Sequence, residues 1–489
     1  MLDELKYRSW PQRSSIHHPL KALIRFEQAI NSLQGVRKIF WMTSFLLVVL
    51  ALHSYGAYQH LHERNIGERN TGYQKNDQED YMLYAKALYF SDYRYAGDGN
   101  RMPLYPALQS LHYSPTISME DYFVQGKYLN VGLSILLLIG LFGIFLHYFS
   151  PLAAMNLMLV TTFQLYMFRA AYFQAELLYY TLSFGAFGLM LRLLHEPSWK
   201  FAILTGIMAG LAHLTKASFL PALFAFGFVM GLKMILMARR EKRWKPLLNN
   251  ALSLGLVLGA FLLVLYPYIS RVKDTFGHYF YNVNTTFYIW YDDKAEVEAP
   301  TSTKAHGDSI GWPDLPDDKL PSLQKYLRET TPREFWERMA FGAKLSFRRH
   351  ILPGSYGYSP YIVGYPLIVL LLALMASFDK SRRAEFLRRI NTHRYLLLYV
   401  VLYLVGYSLL YLFYMQISGG QRFMLALFLP LMFSATMAMN LPLFQTVYVN
   451  MSGERVRWVS LANGILFFMF IAHALYNVLW VVDDFYAGD

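Results

Sequence analysis

The chain contains no cysteine and few charges: 16% of its 489 residues are Asp, Glu, Lys or Arg. Without cysteine there is no disulfide, zinc–thiolate centre or thiol nucleophile, so any large loop folds without a covalent staple. Ordinary globular chains carry about 25% charged residues. Set beside 55% hydrophobic and 17% aromatic residues, the low charge excludes both a disordered chain and a conventional soluble enzyme. Also missing are a Walker loop, a dinucleotide fingerprint, a His-Glu-x-x-His zinc motif, a Gly-x-Ser-x-Gly elbow and any evident internal repeat. No cleavable signal sequence is expected, because the first about 38 residues are polar and basic and the apolar run from Ile39 has no small-residue cleavage site.

What the chain does have is long apolar runs. About eleven approach the roughly 20 residues that a helix needs to cross a bilayer: near 39–57, 128–147, 152–169, 177–194, 201–215, 219–237, 249–268, 361–378, 395–414, 423–440 and 459–480. An all-α polytopic membrane protein is expected. The third and fifth runs are short, and reading either as buried or re-entrant would alter the count and the side of the C-terminus. Lys and Arg gather in an arm over 1–38 and in blocks at Arg239–Lys245, Lys380–Arg394 and, more weakly, Arg455–Arg457. With eleven spans all four blocks share one face, which the positive-inside rule makes cytoplasmic. The N-terminus is then cytoplasmic, and the C-terminus with Asp483, Asp484 and Asp489 lies outside. The +12 charge serves topology, so membrane lipids and not nucleic acid are the expected partners.

Two long segments, about 58–127 and 269–360, fall on the outer face and are richer in Asp, Glu, Pro and Gly than the rest. The expected organisation is a cytoplasmic basic arm (1–38), a transmembrane module (39–268) containing the first outer loop, an outer cap (269–360) and C-terminal transmembrane helices (361–489). Transporters usually have short loops on both faces. Extramembrane mass on one face reads as chemistry at that face. A transporter or flippase would need polar groups at mid-membrane, and His213 and His473 are the main ones found.

In the first loop Asp77 follows Asn76 before a helical pattern, with Tyr81, Tyr84, Ala85 and Leu88 on one face. Asp77 reads either as a helix cap with Glu79 and Asp80 favouring the dipole, or as a carboxylate held at the bilayer surface for general-base work. After a Gly97-Asp98-Gly99-Asn100 turn, Arg101 reads as a snorkelling anchor or an interfacial cation. Lys216 ends the fifth run in Leu214-Thr215-Lys216, with Pro221 following, and is either an interfacial lysine or an anion site. Arg422 follows Gly419-Gly420-Gln421 and offers a planar donor fork suited to phosphate. Glu176 opens a helix, where it complements the dipole, orders a cation or meets the acceptor. In the second segment an aromatic run from Phe276 to Tyr291 suits an interface belt or a sugar-stacking face. Thr331-Pro332-Arg333-Glu334 then starts an amphipathic surface helix with an apolar stripe at Phe335, Met339, Ala343 and Phe347. Its Arg348, Arg349 and His350 meet lipid phosphate or simply anchor to headgroups. Asn284 heads an Asn-x-Thr sequon, relevant in a secretory-pathway host.

The acid soon after the first span, the pattern Asp-Gln-x-x-Tyr-x-x-Tyr-Ala-x-x-Leu from Asp77, and Arg-x-Pro-Leu-Tyr-Pro from Arg101 resemble the C-type (GT-C) membrane glycosyltransferases. Within them the likeness is to the branch of protein O-mannosyltransferases and the lipid A aminoarabinose transferase. It covers the first about 220 residues and, more loosely, the turn at Arg422. The resemblance implies a GT-C fold and transfer of a sugar from a polyprenyl phosphate to a hydroxyl of a glycan, lipid or protein at the outer face. It implies Asp77 as catalytic base and Lys216 and Arg422 as lipid-phosphate ligands; Arg349 is added to these from its place on the amphipathic helix, not from the resemblance. Glu79, Asp80, Tyr81, Arg101, Tyr105 and Glu176 are the expected substrate-binding residues. The commonest family version has a second acid directly after the first; here Gln78 stands there, so the base falls among Asp77, Glu79 and Asp80. The lipid-linked sugar is the donor, no cofactor or metal is assigned, and metal dependence is left open. The lack of cysteine fits a bacterial inner membrane with a periplasmic site. The alternatives are a transporter or flippase of lipid-linked glycans, and an outer-face glycan ligase or polymerase of another fold.

Overall fold

The computed structural model describes residues 17–62, 73, 76–241, 244–350, 364, 367–371, 373–374, 380–418, 422–451 and 454–480. Among them nine helices are long and apolar enough to cross a bilayer: Gly35–Leu61, Met119–Tyr148, Pro151–Arg169, Glu176–His195, Ala217–Arg239, Trp244–Phe276, Arg394–Tyr414, Arg422–Met439 and Trp458–Leu479. Their outward faces are apolar as well, with Leu263 at 76%, Phe224 at 72% and Leu136 at 68% exposure. A continuous apolar exterior is untenable in water but natural in lipid, where helices satisfy their own backbone. Of the other two expected runs, one is the 17-residue helix Trp199–Thr215, and 361–378 lies largely outside the described residues. The C-terminal Asp483, Asp484 and Asp489 lie outside them too.

Pro151–Arg169 is the central helix, its apolar window wholly buried. It widens to a π-turn at Thr162–Tyr166. There Asn477 donates to the Phe163 carbonyl at 2.8 Å, and one helix end away Asn156 donates to the Asn463 carbonyl at 3.0 Å. Amides in an apolar bundle find main-chain acceptors because the alternative is an unpaired polar group. Trp199–Thr215 packs tightly on Trp244–Phe276 because Ala202, Gly206 and Gly210 recur every four residues. A Cβ at Gly206 would stand 2.4 Å from the Val257 carbonyl oxygen, and one at Gly210 would stand 2.8 Å from Val264.

The basic arm is partly helical. His17–Asn31 lays Phe26 against Phe467 at 5.2 Å, and the Asn31 carboxamide accepts the Leu152 N–H at 3.1 Å, capping the central helix. The described departure from an all-α chain is a hairpin, Tyr448–Met451 paired antiparallel with Glu454–Arg457.

The two long loops meet at one end of the bundle. Val283 N–H donates to Gly99 O at 2.8 Å, the Asn282 amide donates to Asn100 O at 2.7 Å, and Asn284 bonds Asn100 and accepts from Tyr414 Oη at 2.8 Å. The sequon asparagine is thus a cross-link between the two loops and the bundle. Helix Pro332–His350 starts as expected, with Thr331 N–H donating to Glu334 Oε2 at 2.7 Å. The face it packs on the bundle is another than its apolar stripe. Arg338, Gly342 and Ser346 are buried, whereas Ala343 and Phe347 are exposed. Gly342 comes so close to Leu412 that a Cβ would meet its carbonyl oxygen at 2.0 Å. Arg338 donates to the carbonyls of Ile289, Tyr291 and Phe413 at 2.9–3.0 Å. Main-chain acceptors and close approach choose this face, and neither is visible in apolar periodicity.

Candidate functional site

The end of the bundle that gathers both loops contains a cleft of about 780 Å³, within the 300–1,000 Å³ range typical of ligand pockets. Asp77, Tyr81, Arg101, Glu176, Lys216 and Arg422 all line it. Asp77 is the first residue of helix Asp77–Phe90, and Asn76 is the cap, its side chain accepting the Gln78 N–H at 2.8 Å. Asp77 is therefore not the cap, and its carboxylate turns to the cleft. The helix presents its expected face: Tyr81, Tyr84, Ala85 and Leu88 are buried.

The Asp77 carboxylate takes one arginine on each oxygen: Arg101 on Oδ1 at 2.7 Å and Arg422 on Oδ2. Burial by itself would raise this acid; Arg422 and Arg101 outweigh it and hold the carboxyl below the usual carboxylate range. Arg101 is no free anchor. It also pairs with Asp98 at 2.9 Å and with Asp80. Its loop is shaped for this: Gly97 and Gly99 take φ of +94° and +66°, and Asp98 Oδ1 accepts the N–H groups of Asn100 and Arg101. Three carboxylates around it raise the Arg101 guanidinium despite its burial. Asp80 is raised, by burial first and by Asp77, Asp98 and Glu79, with Arg101 opposing.

Across the cleft Glu176 opens its helix with a side chain only 2% exposed. Lys216 Nζ meets its Oε1 at 2.9 Å, Arg422 Nη1 stands 3.9 Å away, and Arg169 is electrostatically coupled to it. Lys216 also sits over the Phe423 ring at 5.0 Å. Four carboxylates and four cations (Asp77, Asp80, Asp98, Glu176; Arg101, Arg169, Lys216, Arg422) thus form one linked cluster. Its floor is held from below. The buried Gln78 accepts the Phe173 N–H at 2.8 Å, tying helix Asp77–Phe90 to the loop before Glu176.

The expected site residues divide. Asp77, Tyr81, Arg101, Glu176, Lys216 and Arg422 converge, and Asp80 joins through Arg101. Glu79 is half-exposed in the first helical turn. Tyr105 is 1% exposed and packs edge-on against Tyr81 at 5.2 Å, its hydroxyl bound by Gln109 and Asn130. It supports the site from the core instead of lining it. Arg349 belongs to helix Pro332–His350, but its side chain lies outside the described ones. Asp98 and the Asn100–Asn282–Asn284 cross-link were not singled out as functional. An Asp three residues before an Arg, just after a glycine, was the available signal for Asp98. Among the described residues no three of His, Asp and Glu converge where a metal ion would sit; the neighbouring aspartates converge on Arg101.

No family model matches the chain, no curated protein matches it, and no solved structure matches it.

Proposed function

We propose that this protein is a polytopic membrane glycosyltransferase that moves a sugar from a polyprenyl phosphate to an acceptor hydroxyl. The observation that carries the reading is the shared cleft: a carboxylate, Asp77, faces Arg422, with Lys216 beyond it, at one end of a bundle of apolar helices. The reaction is a single displacement with inversion. Asp77 accepts the proton of the acceptor hydroxyl as that oxygen attacks the anomeric carbon. The bond from that carbon to the phosphate oxygen breaks, and its electron pair leaves with the phosphate. A phosphate departs as an anion, so the site needs positive charge at that oxygen and not a second acid. Lys216 and Arg422 supply it where water is partly excluded, and Arg101 orients Asp77. This reading completes a GT-C-like arrangement of eleven spans, with Trp199–Thr215 as the short fifth, a cytoplasmic N-terminus and the cleft on the periplasmic side of a bacterial inner membrane. The cap supplies the acceptor wall through Tyr279, Phe280 and Trp290, which line the cleft. Glycan, lipid and protein hydroxyls are all acceptors of the right chemistry.

The test is native mass spectrometry of the protein gently purified from its membrane, beside Lys216→Ala. A bound polyprenyl phosphate or its sugar ester, lost in the variant, supports the reading, and the mass difference gives the sugar class. If no lipid phosphate is bound and none binds on addition, the donor disappears and a transporter becomes the better account.

A further inference from the structure

Arg422 is shared between two acids. Its guanidinium pairs with Asp77 and stands 3.9 Å from Glu176, while its main chain is pinned by the Tyr180 hydroxyl, which donates to the Arg422 carbonyl at 2.6 Å. The side chain is 26% exposed and lies on the cleft wall, so it has room to turn about a fixed backbone. Arg101 is different. It is 14% exposed and divided over Asp77, Asp80 and Asp98. Lys216 is matched to Glu176.

A phosphate entering this cleft meets cations that already have carboxylate partners. It gains them only by drawing them away, and the two withdrawals differ in consequence. Taking Lys216 leaves Glu176, which has Arg169 and Arg422 near it. Taking Arg422 strips one of the two cations from Asp77. A carboxylate losing a neighbouring positive charge becomes a stronger base.

We propose that Arg422 couples donor binding to activation of the base: without donor it holds Asp77 as an ion pair, and the donor phosphate, by taking the guanidinium, frees Asp77 Oδ2 for the acceptor proton. This rests on the lipid-phosphate reading of the donor. The acceptor O–H proton goes to the oxygen that Arg422 leaves, the acceptor oxygen bonds the anomeric carbon, and the departing phosphate keeps its electron pair against Arg422 and Lys216. When the lipid phosphate leaves, Arg422 returns to Asp77, which releases its proton to water. The acceptor hydroxyl is thereby activated only while a donor is in place.

Reciprocity gives a sign that a merely structural arginine would not produce. If Asp77 and the donor phosphate compete for Arg422, neutralising Asp77 must tighten phosphate binding. The experiment measures undecaprenyl phosphate affinity in detergent for the full chain, Asp77→Asn, Arg422→Gln and the double variant, with thermal unfolding as a folding control. Asp77→Asn is expected to bind about 10-fold tighter, within the usual range of coupling between sites. Arg422→Gln is expected to bind more weakly, and the double variant to lose the gain. Where Arg422→Gln fails to fold, Arg422→Lys replaces it, and the gain is expected to shrink because an ammonium lacks the two-sided fork. Binding by the wild type with no gain in Asp77→Asn overturns the coupling and leaves the donor reading standing. A gain that survives in the double variant removes Arg422 as the coupler. No binding by any variant removes the donor reading and the coupling with it.

Discussion

Asp77 is set by opposed forces, burial pushing its proton affinity up and two arginines pulling it further down. The charged and titratable groups that act on it are Arg101, Arg422, Lys216, Asp80, Tyr81 and Tyr414. Its folded value lies below its ordinary 3.8, so its ion pairs stabilise the fold above that pH and lose this contribution as pH falls through the lower folded value. The acid limb of kcat/KM, which reports the free enzyme, is accordingly expected below the usual carboxylate range. The limb of kcat, which reports the donor complex, is expected at higher pH, because Arg422 has then moved to phosphate. Coincident limbs in a pH series of both constants would contradict this. Asp77→Asn is expected to lower kcat by about 10²–10⁴-fold, the usual worth of a general base, while still binding donor. Near-normal turnover would transfer the role to Asp80 or Glu79. Most of the site residues were legible because each is an ionisable group beside apolar sequence, where a bland explanation is costly. What sequence did not give was the pairing. Arg101 read as a lone interfacial cation, yet it is enclosed by three carboxylates, and one of them, Asp98, looked like part of a turn.

Helices were read well where one force dominates, and less well where several compete. Apolar length located the nine long helices, and the Thr331–Glu334 signature located the start of Pro332–His350. The face of that helix that packs on the bundle was not foreseen, because the bundle offers carbonyls and a close backbone there, and it buries Arg338 at 4% while leaving Phe347 of the apolar stripe at 51% exposure. Trp199–Thr215, at 17 residues, falls short of a typical span, and its small residues set how it packs. Gly206 and Gly210 let it nest on Trp244–Phe276. Gly206→Val is therefore expected to destabilise the protein by about 1–3 kcal/mol, the usual cost of overpacking. Gly227→Val, on an open helix face with nothing near its added Cβ, is expected to cost much less. Thermal unfolding in detergent checks the difference, and equal losses would refute the nesting.

For the whole molecule, the cap is joined to the bundle by a few polar ties. Arg338, itself in the cap, makes one of them, to the Phe413 carbonyl, and holds the cap together through Ile289 and Tyr291, with its guanidinium 3.8 Å from the Phe413 ring centre. Arg338→Ala is expected to destabilise the cap by about 2–4 kcal/mol, from the loss of charge-assisted hydrogen bonds, and to speed limited proteolysis within 289–331. Arg338→Lys is expected to rescue only in part, since one ammonium cannot serve three diverging carbonyls. Unchanged proteolysis in Arg338→Ala would show that the Asn284 cross-link suffices. The glycine-lined helix pair has a mechanical consequence as well. Trp199–Thr215 ends at Lys216, and its partner runs to Phe276 and, through the turn at Gly277, into the aromatic wall at Tyr279–Tyr281. Locked together, the two carry lysine and wall as one fixed jaw of a vice. Asp77 and Arg422, on other helices, line the opposing side of the same cleft.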